Sequence, residues 1–299
     1  MSLITLSSSG GSGNSVATLL NCGRQYYLRY HEKFREKTIN QNLFFGSIVH
    51  DTLLIKHLEQ RSTSQVVEDY IRSEIAFKFA STMQGKYILE LSTSEEELVS
   101  KAIKMYQAFS EIPINPISIE GKFEVLLTDP VSGVVNNNVI VNGRIDIIEQ
   151  VKITEKYENN RLIIEEDSNG KNSIVITDLK TSSAKLNSLN GHFFQLLFYA
   201  YIYFIKHQKM PDYLCIRNVV KTKIPSVQTI FYKPSFKEII STYTTIKDCA
   251  DKISRGEFQE NYVNCRSRYN TNCPYEAICH SELFDLPELE IEQKLIKED

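Results

Sequence analysis

Apolar residues recur along this chain at changing intervals, and the changes divide it into regions. From Val16 through Leu19, Leu20, Tyr26 and Tyr27 to Tyr30 the spacing is near-helical. A second amphipathic pattern carries Phe44, Phe45, Ile48, Val49, Thr52, Leu53 and Lys56, with His50 on it. A third runs over 64–80, and a fourth starts at Ser94, where Glu97 completes a capping box before Leu98, Ala102, Met105, Tyr106 and Phe109. After a loose Ser/Gly start, the first 110 residues are therefore expected to be helical. Past Pro113 and Pro116 the period shortens to two, and 117–127, 139–151, 161–166 and 173–179 read as strands rich in Val, Ile and Phe. Turn signals at 129–133 (DPVSG) and 168–170 (SNG) make them an antiparallel or mixed meander rather than a run of βαβ units. A helix over 191–207, strands over 213–221 and 227–232 and a helix over 235–254 follow, then a cysteine-bearing segment to Cys279. This order predicts an α+β or α/β fold, a central mixed sheet flanked by helices. The expected organisation is a flexible 1–14, one domain over 15–280 with a helical insertion at about 60–112 and a cysteine segment at 256–280, and an acidic tail over 281–299.

Composition narrows the class. With 42% hydrophobic and 24% charged residues the chain is globular, and 12 glycines with 8 prolines exclude a linker or collagen. The longest apolar run, Phe193 to Ile205, is broken by Gln195 and falls short of the roughly 20 residues a bilayer span needs, so no membrane is expected. The first fifteen residues lack the apolar core of a secretory signal, and the expected location is the cytoplasm. Six cysteines in a reducing compartment point to metal sooner than to disulfides. A net charge of −3 excludes a DNA packager coated in positive potential, but not a nuclease whose carboxylates meet phosphate through a divalent ion. Two basic patches stand out locally, Arg24, Arg29, Lys33, Arg35 and Lys37, and Arg217, Lys221 and Lys223; a solvated face is the ordinary alternative for each.

Candidate chemistry begins at IVITDLK, where strand periodicity places Asp178 and Lys180 on one face and Leu179 on the other. Asp146, between Ile145 and Ile147, is a carboxylate on an apolar strand and needs a partner; a metal shared with Asp178 would satisfy both. His50 offers a nitrogen ligand, and Gln195 and Tyr199 share one helix face at i and i+4. Taken singly, each has a plainer explanation: a solvent-facing ion pair, an edge-strand acid, a satisfied core histidine, polar points on a core helix.

In chain order, however, GSIVH, GRID, DLKT and QLLFY resemble the hallmark motifs of the RecB-like branch of the PD-(D/E)XK nuclease superfamily. The opening from Ser15, with Cys22 before Tyr26, Tyr27 and Leu28, is similar to that branch's N-terminal helix, and the resemblance spans Ser15 to Cys279. It implies that His50, Asp146 and Asp178, with the Leu179 carbonyl, hold Mg²⁺ or Mn²⁺, that Lys180 is the catalytic lysine, and that Gln195 and Tyr199 orient DNA or that lysine. The activity it implies is a metal-dependent deoxyribonuclease. Its expected mode is exonucleolytic, on single-stranded or frayed DNA ends in recombination, repair or phage or CRISPR DNA processing. The long gap between the two aspartates implies an extra hairpin over 157–170. No G-x-x-x-x-G-K-[S/T] loop is present, so unwinding would fall to a helicase or recombination partner.

Cys22 with Cys265, Cys273 and Cys279 is similar to the one-plus-three arrangement of the iron–sulfur branch, AddB-like and CRISPR-associated, and implies a [4Fe–4S] cluster. Asn270 stands where that branch commonly has a further cysteine, and Zn²⁺ with His280 nearby, or buried free thiols, are the alternatives. Cys215 and Cys249 read as core residues. Tyr26, Tyr27 and Tyr30 with Arg24 and Arg29 either stack on a nucleic-acid strand or pack in the core. Two other functions stay open. A non-catalytic DNA-binding or scaffold subunit is one, against which the intact His50, Asp146, Asp178 and Lys180 set counts. An iron–sulfur redox protein is the other, and it leaves Asp178 and Lys180 without a role. RNA is the narrower alternative substrate.

Overall fold

In a computed structural model of the protein, residues 3–8, 14–40, 46–47, 50–51, 68–73, 88–90, 93–110, 112–159, 161–189, 191–265, 273–276, 278–279 and 295–297 are described. The central strand is β6 (Val135–Glu158), on which Val139, Val141, Ile145, Ile147 and Ile148 are buried. β5 (Pro116–Thr128) runs antiparallel along one edge, joined through the DPVSG turn, where Gly133 takes a φ of 72° and Asp129 Oδ1 accepts from the Val131 N–H at 2.8 Å. On the other edge lies β8 (Lys171–Ser182), antiparallel from Ile153↔Lys171 to Ile147↔Thr177. β7 (Arg161–Glu166) folds back on the end of β6, which is the extra hairpin between the aspartates. β9 (Tyr213–Val220) is parallel to β8, and β10 (Ser226–Tyr232) is antiparallel to β9. With β1 (Ile4–Ser7), parallel to β6 at residues 139–142, the described residues form a seven-stranded mixed sheet flanked by helices, as expected.

The N-terminal third departs from expectation. β1 lies inside the segment expected to be flexible: Leu6 is fully buried against β6, and Ser/Gly flanks hid a four-residue strand. β2 (Phe34–Glu36), β3 (Thr38–Asn40) and β4 (Ile88–Glu90) interrupt the stretch expected to be helical. β3 pairs with β4, and β2 pairs with β11 (Leu295–Lys297) from the acidic tail, so their partners are too distant for local periodicity to reveal. The single helix expected over 16–30 is broken at Cys22, whose φ of −161° separates α1 (Ser15–Asn21) from α2 (Gly23–Tyr26) and the π-helical turn Tyr27–His31. Residues 46–47, 50–51 and 68–73 are helical and belong to the second and third expected helices. The remainder of those two, His280 and most of the tail lie outside the described residues.

Helices cover both faces. α3 (Glu95–Ser110), with the Ser94 hydroxyl accepting from the Glu97 N–H at 3.2 Å, packs Leu98, Met105 and Phe109 around Ile147, Leu179 and Val219. The opposite face takes α1, α4 (Phe193–His207) and α5 (Phe236–Ser254), the last started by a reciprocal Ser235–Glu238 box. α4 buries every residue from Leu196 to Tyr203, each large apolar side chain contributing about 1.5–3 kcal/mol. As the crossover between parallel β8 and β9, α4 begins beside the C-terminal end of β8. No described helix is long and apolar enough to cross a membrane.

Candidate active site

The last rung of the β6–β8 ladder is Ile147↔Thr177. One step beyond it Asp146 and Asp178 stand opposite each other, and there the edge of β6 passes from β8 to β1. The Leu179 N–H, left without a ladder partner, donates to Asp146 Oδ2 at 2.7 Å. Within a strand the N–H and C=O of one residue leave along the same edge, so the Leu179 carbonyl turns to this opening too. Gly143 spans the gap, and a Cβ there would touch Tyr199 and Ile202 at 3.4 Å, so α4 lies directly on the strand. The Lys180 ammonium is 2.7 Å from Asp178 Oδ2 and donates to Gln195 Oε1 at 3.4 Å. Gln195 Nε2 in turn donates to the Tyr199 hydroxyl at 2.7 Å. His50 Nδ1 lies 3.8 Å from Asp146 Oδ2. The cleft, about 460 Å³, is lined by His50, Asp146, Asp178, Leu179, Lys180, Gln195 and Tyr199, together with Gly46, Ser47, Asp51, Arg144, Thr181 and Lys221.

Glu120 is a neighbour that the sequence did not single out. It sits on β5 between the pairs Ile119↔Ile147 and Gly121↔Ile145, with a φ of 48°. A non-glycine residue in that left-handed region is strained by about 1–2 kcal/mol. The kink leaves its Oε1 3.5 Å from His50 Nδ1 and its Oε2 2.7 Å from Arg144 Nε. Its signal was an acid interrupting an apolar strand beside a glycine, which reads equally well as a solvent-facing residue. Burial opposes charge on His50, but the Glu120 hydrogen bond and Asp146 outweigh it and raise the imidazole's pKa. Burial likewise opposes the Lys180 ammonium, and Asp178 and Asp146 reverse the effect, leaving its pKa above the ordinary value. His192, one turn before Gln195, is held low by burial and by Lys180.

His50, Glu120 and Asp146 offer ligand atoms within 4.8 Å of one another, the one group among the described residues that gathers this closely. Asp178 stands outside that trio. It is 1% exposed, and although Lys180 is near, neither carboxylate oxygen accepts a hydrogen bond of ordinary geometry. The Lys180 ammonium offsets the charge at Oδ2, and the other oxygen, Oδ1, has no hydrogen-bond partner and is open to a further cation. Oxygen donors with one imidazole are the set that Mg²⁺ or Mn²⁺ takes, so the residues present fit such an ion.

A sequence profile of the PD-(D/E)XK nuclease superfamily matches residues 12–158 and 161–280. The chain belongs to this superfamily. No curated protein matches it. Among solved structures it is similar to a candidate exonuclease from Eubacterium rectale, known from a crystal structure at 2.19 Å. The identity is 9% and the TM-score 0.48, over 90% of this chain and 91% of that one, too loose to carry an argument.

The four cysteines do not form a metal-ligand group among the described residues. Gly23 lies on the backbone of Gln259, whose nitrogen would be 2.7 Å from a Cβ, and the Asn261 and Asn264 amides donate to the Asn21 carbonyl at 3.0 and 2.9 Å. This docking brings Cys265 near Cys22; burial, then Cys22, raises the Cys265 pKa. Yet no three thiols among the described residues gather closely enough to share one ion. Among the described residues neither the Zn²⁺ alternative nor the expected [4Fe–4S] cluster gains support. Cys273 and Cys279 pack instead against Leu28, Tyr275, Ile278 and Leu295, a contact that cysteine spacing could not reveal.

The second basic patch also needs correction. Arg217 is fully buried, 3.2 Å from Glu149 and 2.9 Å from Glu166, which leaves Lys221 and Lys223. Of the N-terminal aromatics, Tyr26 is buried in the core and Tyr27 packs on His31 and Phe258.

Proposed function

We propose that the protein is a metal-dependent nuclease that hydrolyses phosphodiester bonds in DNA, working from single-stranded or frayed ends. The observation that carries this reading is the pair of aspartates facing each other where β6 and β8 part, with the Lys180 ammonium 2.7 Å from one of them. His50, Glu120, Asp146 and Asp178, with the Leu179 carbonyl, would hold the ion. Bound there, Mg²⁺ or Mn²⁺ supplies Lewis acidity to the scissile phosphate and lowers the pKa of the attacking water. Lys180, its ammonium 2.7 Å from Asp178 Oδ2, stands where it can donate to water or a phosphate oxygen and steady developing negative charge. Gln195 and Tyr199 form a hydrogen-bonded chain behind that ammonium and limit its swing. Arg144 and Lys221, on the rim, suit flanking phosphates. Unwinding is left to a helicase or recombination partner.

End-labelled single- and double-stranded DNA, and RNA of the same sequence, should be offered to the protein with Mg²⁺ or Mn²⁺. Wild type should give metal-dependent products laddering from one end of DNA, and Lys180→Ala should cut at least about 100-fold more slowly. Equal cleavage by the variant, or none by wild type, would sink the reading. The iron–sulfur cluster is a separate, finer proposal that rests on the one-plus-three spacing of Cys22, Cys265, Cys273 and Cys279 alone. Iron and sulfide analysis of anaerobically purified protein tests it, and the chemistry above does not depend on it.

A further inference from the structure

Lys180 and Gln195 stand at opposite ends of the connection from β8 to α4, and they meet through one hydrogen bond of 3.4 Å. A bond that long contributes too little to offset the freedom of such a connection, so the contact must be held from elsewhere. Two amides behind the cleft do this. Asn218 lies opposite Lys180 in the β8–β9 register and opposite Gln228 in the β9–β10 register, and it is fully buried. Its Oδ1 accepts from the Ser182 hydroxyl at 2.9 Å, and its Nδ2 donates to the Ala184 carbonyl at 3.4 Å and to Gln228 Oε1 at 3.5 Å. Gln228 then grips the next part of the connection with both ends of its amide. The Leu186 N–H donates to Oε1 at 2.8 Å, and Nε2 donates to the Leu186 carbonyl at 2.9 Å. Bonding the N–H and C=O of one residue reproduces a β-ladder rung, so Leu186 is held as if the sheet continued beneath it. Its side chain and that of Leu189 pack on the main core, and the chain enters α4 at His192 already fixed.

We propose that Asn218 and Gln228 are positioning residues for the reaction: they pin the connection at Ser182, Ala184 and Leu186 and so set Gln195 against Lys180. A buried amide is costly unless its donors and acceptor are met, and those of Asn218 are met by this connection and by Gln228. Neither residue lines the cleft, so neither acts on substrate directly. The proposal rests on the nuclease reading, because it gives these amides a purpose only where Lys180 does chemistry.

The test is a cycle with Gln228→Met, close in shape but unable to bond Leu186. Single-turnover cleavage of labelled single-stranded DNA should slow about tenfold in Gln228→Met. Mn²⁺ affinity, read by paramagnetic resonance of the free ion, should stay within about twofold, as should the KM for DNA, while hydrogen exchange at Leu186 accelerates. In a Gln195→Ala background Gln228→Met should cost nothing further, since a positioning effect vanishes with the group positioned. Should Gln228→Met lose its cooperative melt, Gln228→Glu gives the same cycle, retaining the bond from the Leu186 N–H and losing the one to its carbonyl. A wild-type rate in these variants, or additive losses with Gln195→Ala, would overturn the proposal while leaving the nuclease intact. Failure of wild type to cut would remove the nuclease reading, and the proposal with it.

Discussion

At Asp146 the requirements of folding and of chemistry oppose each other. Burial pushes its pKa up to about 6; Asp178 and Glu120 push the same way, against the pull of His50 and Lys180. An acid whose folded pKa lies above its unfolded value of about 3.9 stabilises the fold while protonated and loses that stability as pH rises through the folded value. The metal-free protein should therefore lose stability between about pH 4 and pH 6 on this account, and a bound cation should restore it. Asp146→Asn should melt higher than wild type at pH 8 without metal, with the difference shrinking toward pH 5, and should lose the rise in Tm that Mn²⁺ gives wild type. A metal-free Asp146→Asn protein that melts lower at pH 8 would contradict this. His50, Asp146, Asp178, Lys180, Gln195 and Tyr199 could be picked out from sequence because GSIVH, GRID, DLKT and QLLFY stand together in the chain order of the superfamily's hallmarks, whereas strand and helix periods alone left each with a plainer explanation. Glu120 could not, because a backbone kink with positive φ turns it toward His50, and no period encodes that.

Between elements, Arg217 ties the β7 hairpin to the sheet through Glu166 and meets Glu149 beneath it, where Thr177 also donates to Glu149 at 2.7 Å. Arg217→Ala would leave Glu149 buried without its cation. It should destabilise the fold by about 3–5 kcal/mol in urea unfolding, more than a surface arginine could. The same residue shows a limit of pattern reading. Period two assigns a side chain to a face but not to a depth, and every residue of β9 is buried because helices and β7 cover both faces. The near-unbroken apolar run YLCIRNVV carried that message, and a charge inside it is better read as paired than as surface. The meander and the β7 hairpin were legible from alternation and turn residues. β1, β2 and β11 were not, because their partners lie far along the chain.

Across the whole molecule a net charge of −3 offers no long-range pull on a polyanion, so affinity must come from contacts at the cleft. With Arg144, Lys180 and Lys221 as the phosphate partners, binding of single-stranded DNA should fall with salt at a log–log slope of about −2, measured by fluorescence anisotropy. A slope twice as steep would mean a cationic track elsewhere. The seam beside Asp146 has a last consequence, for the order of events while the protein is being made. β1, from the beginning of the chain, closes one side of that seam, whereas Asp178, Lys180 and then α4 and β9 close the other only after most of the chain has emerged. Pairings between such distant segments form slowly, and a growing chain holding only β1 to β6 has Asp146 but no opposing acid and no lysine. On the proposed reading, the unfinished chain lacks both the second aspartate and the lysine on which cleavage would depend.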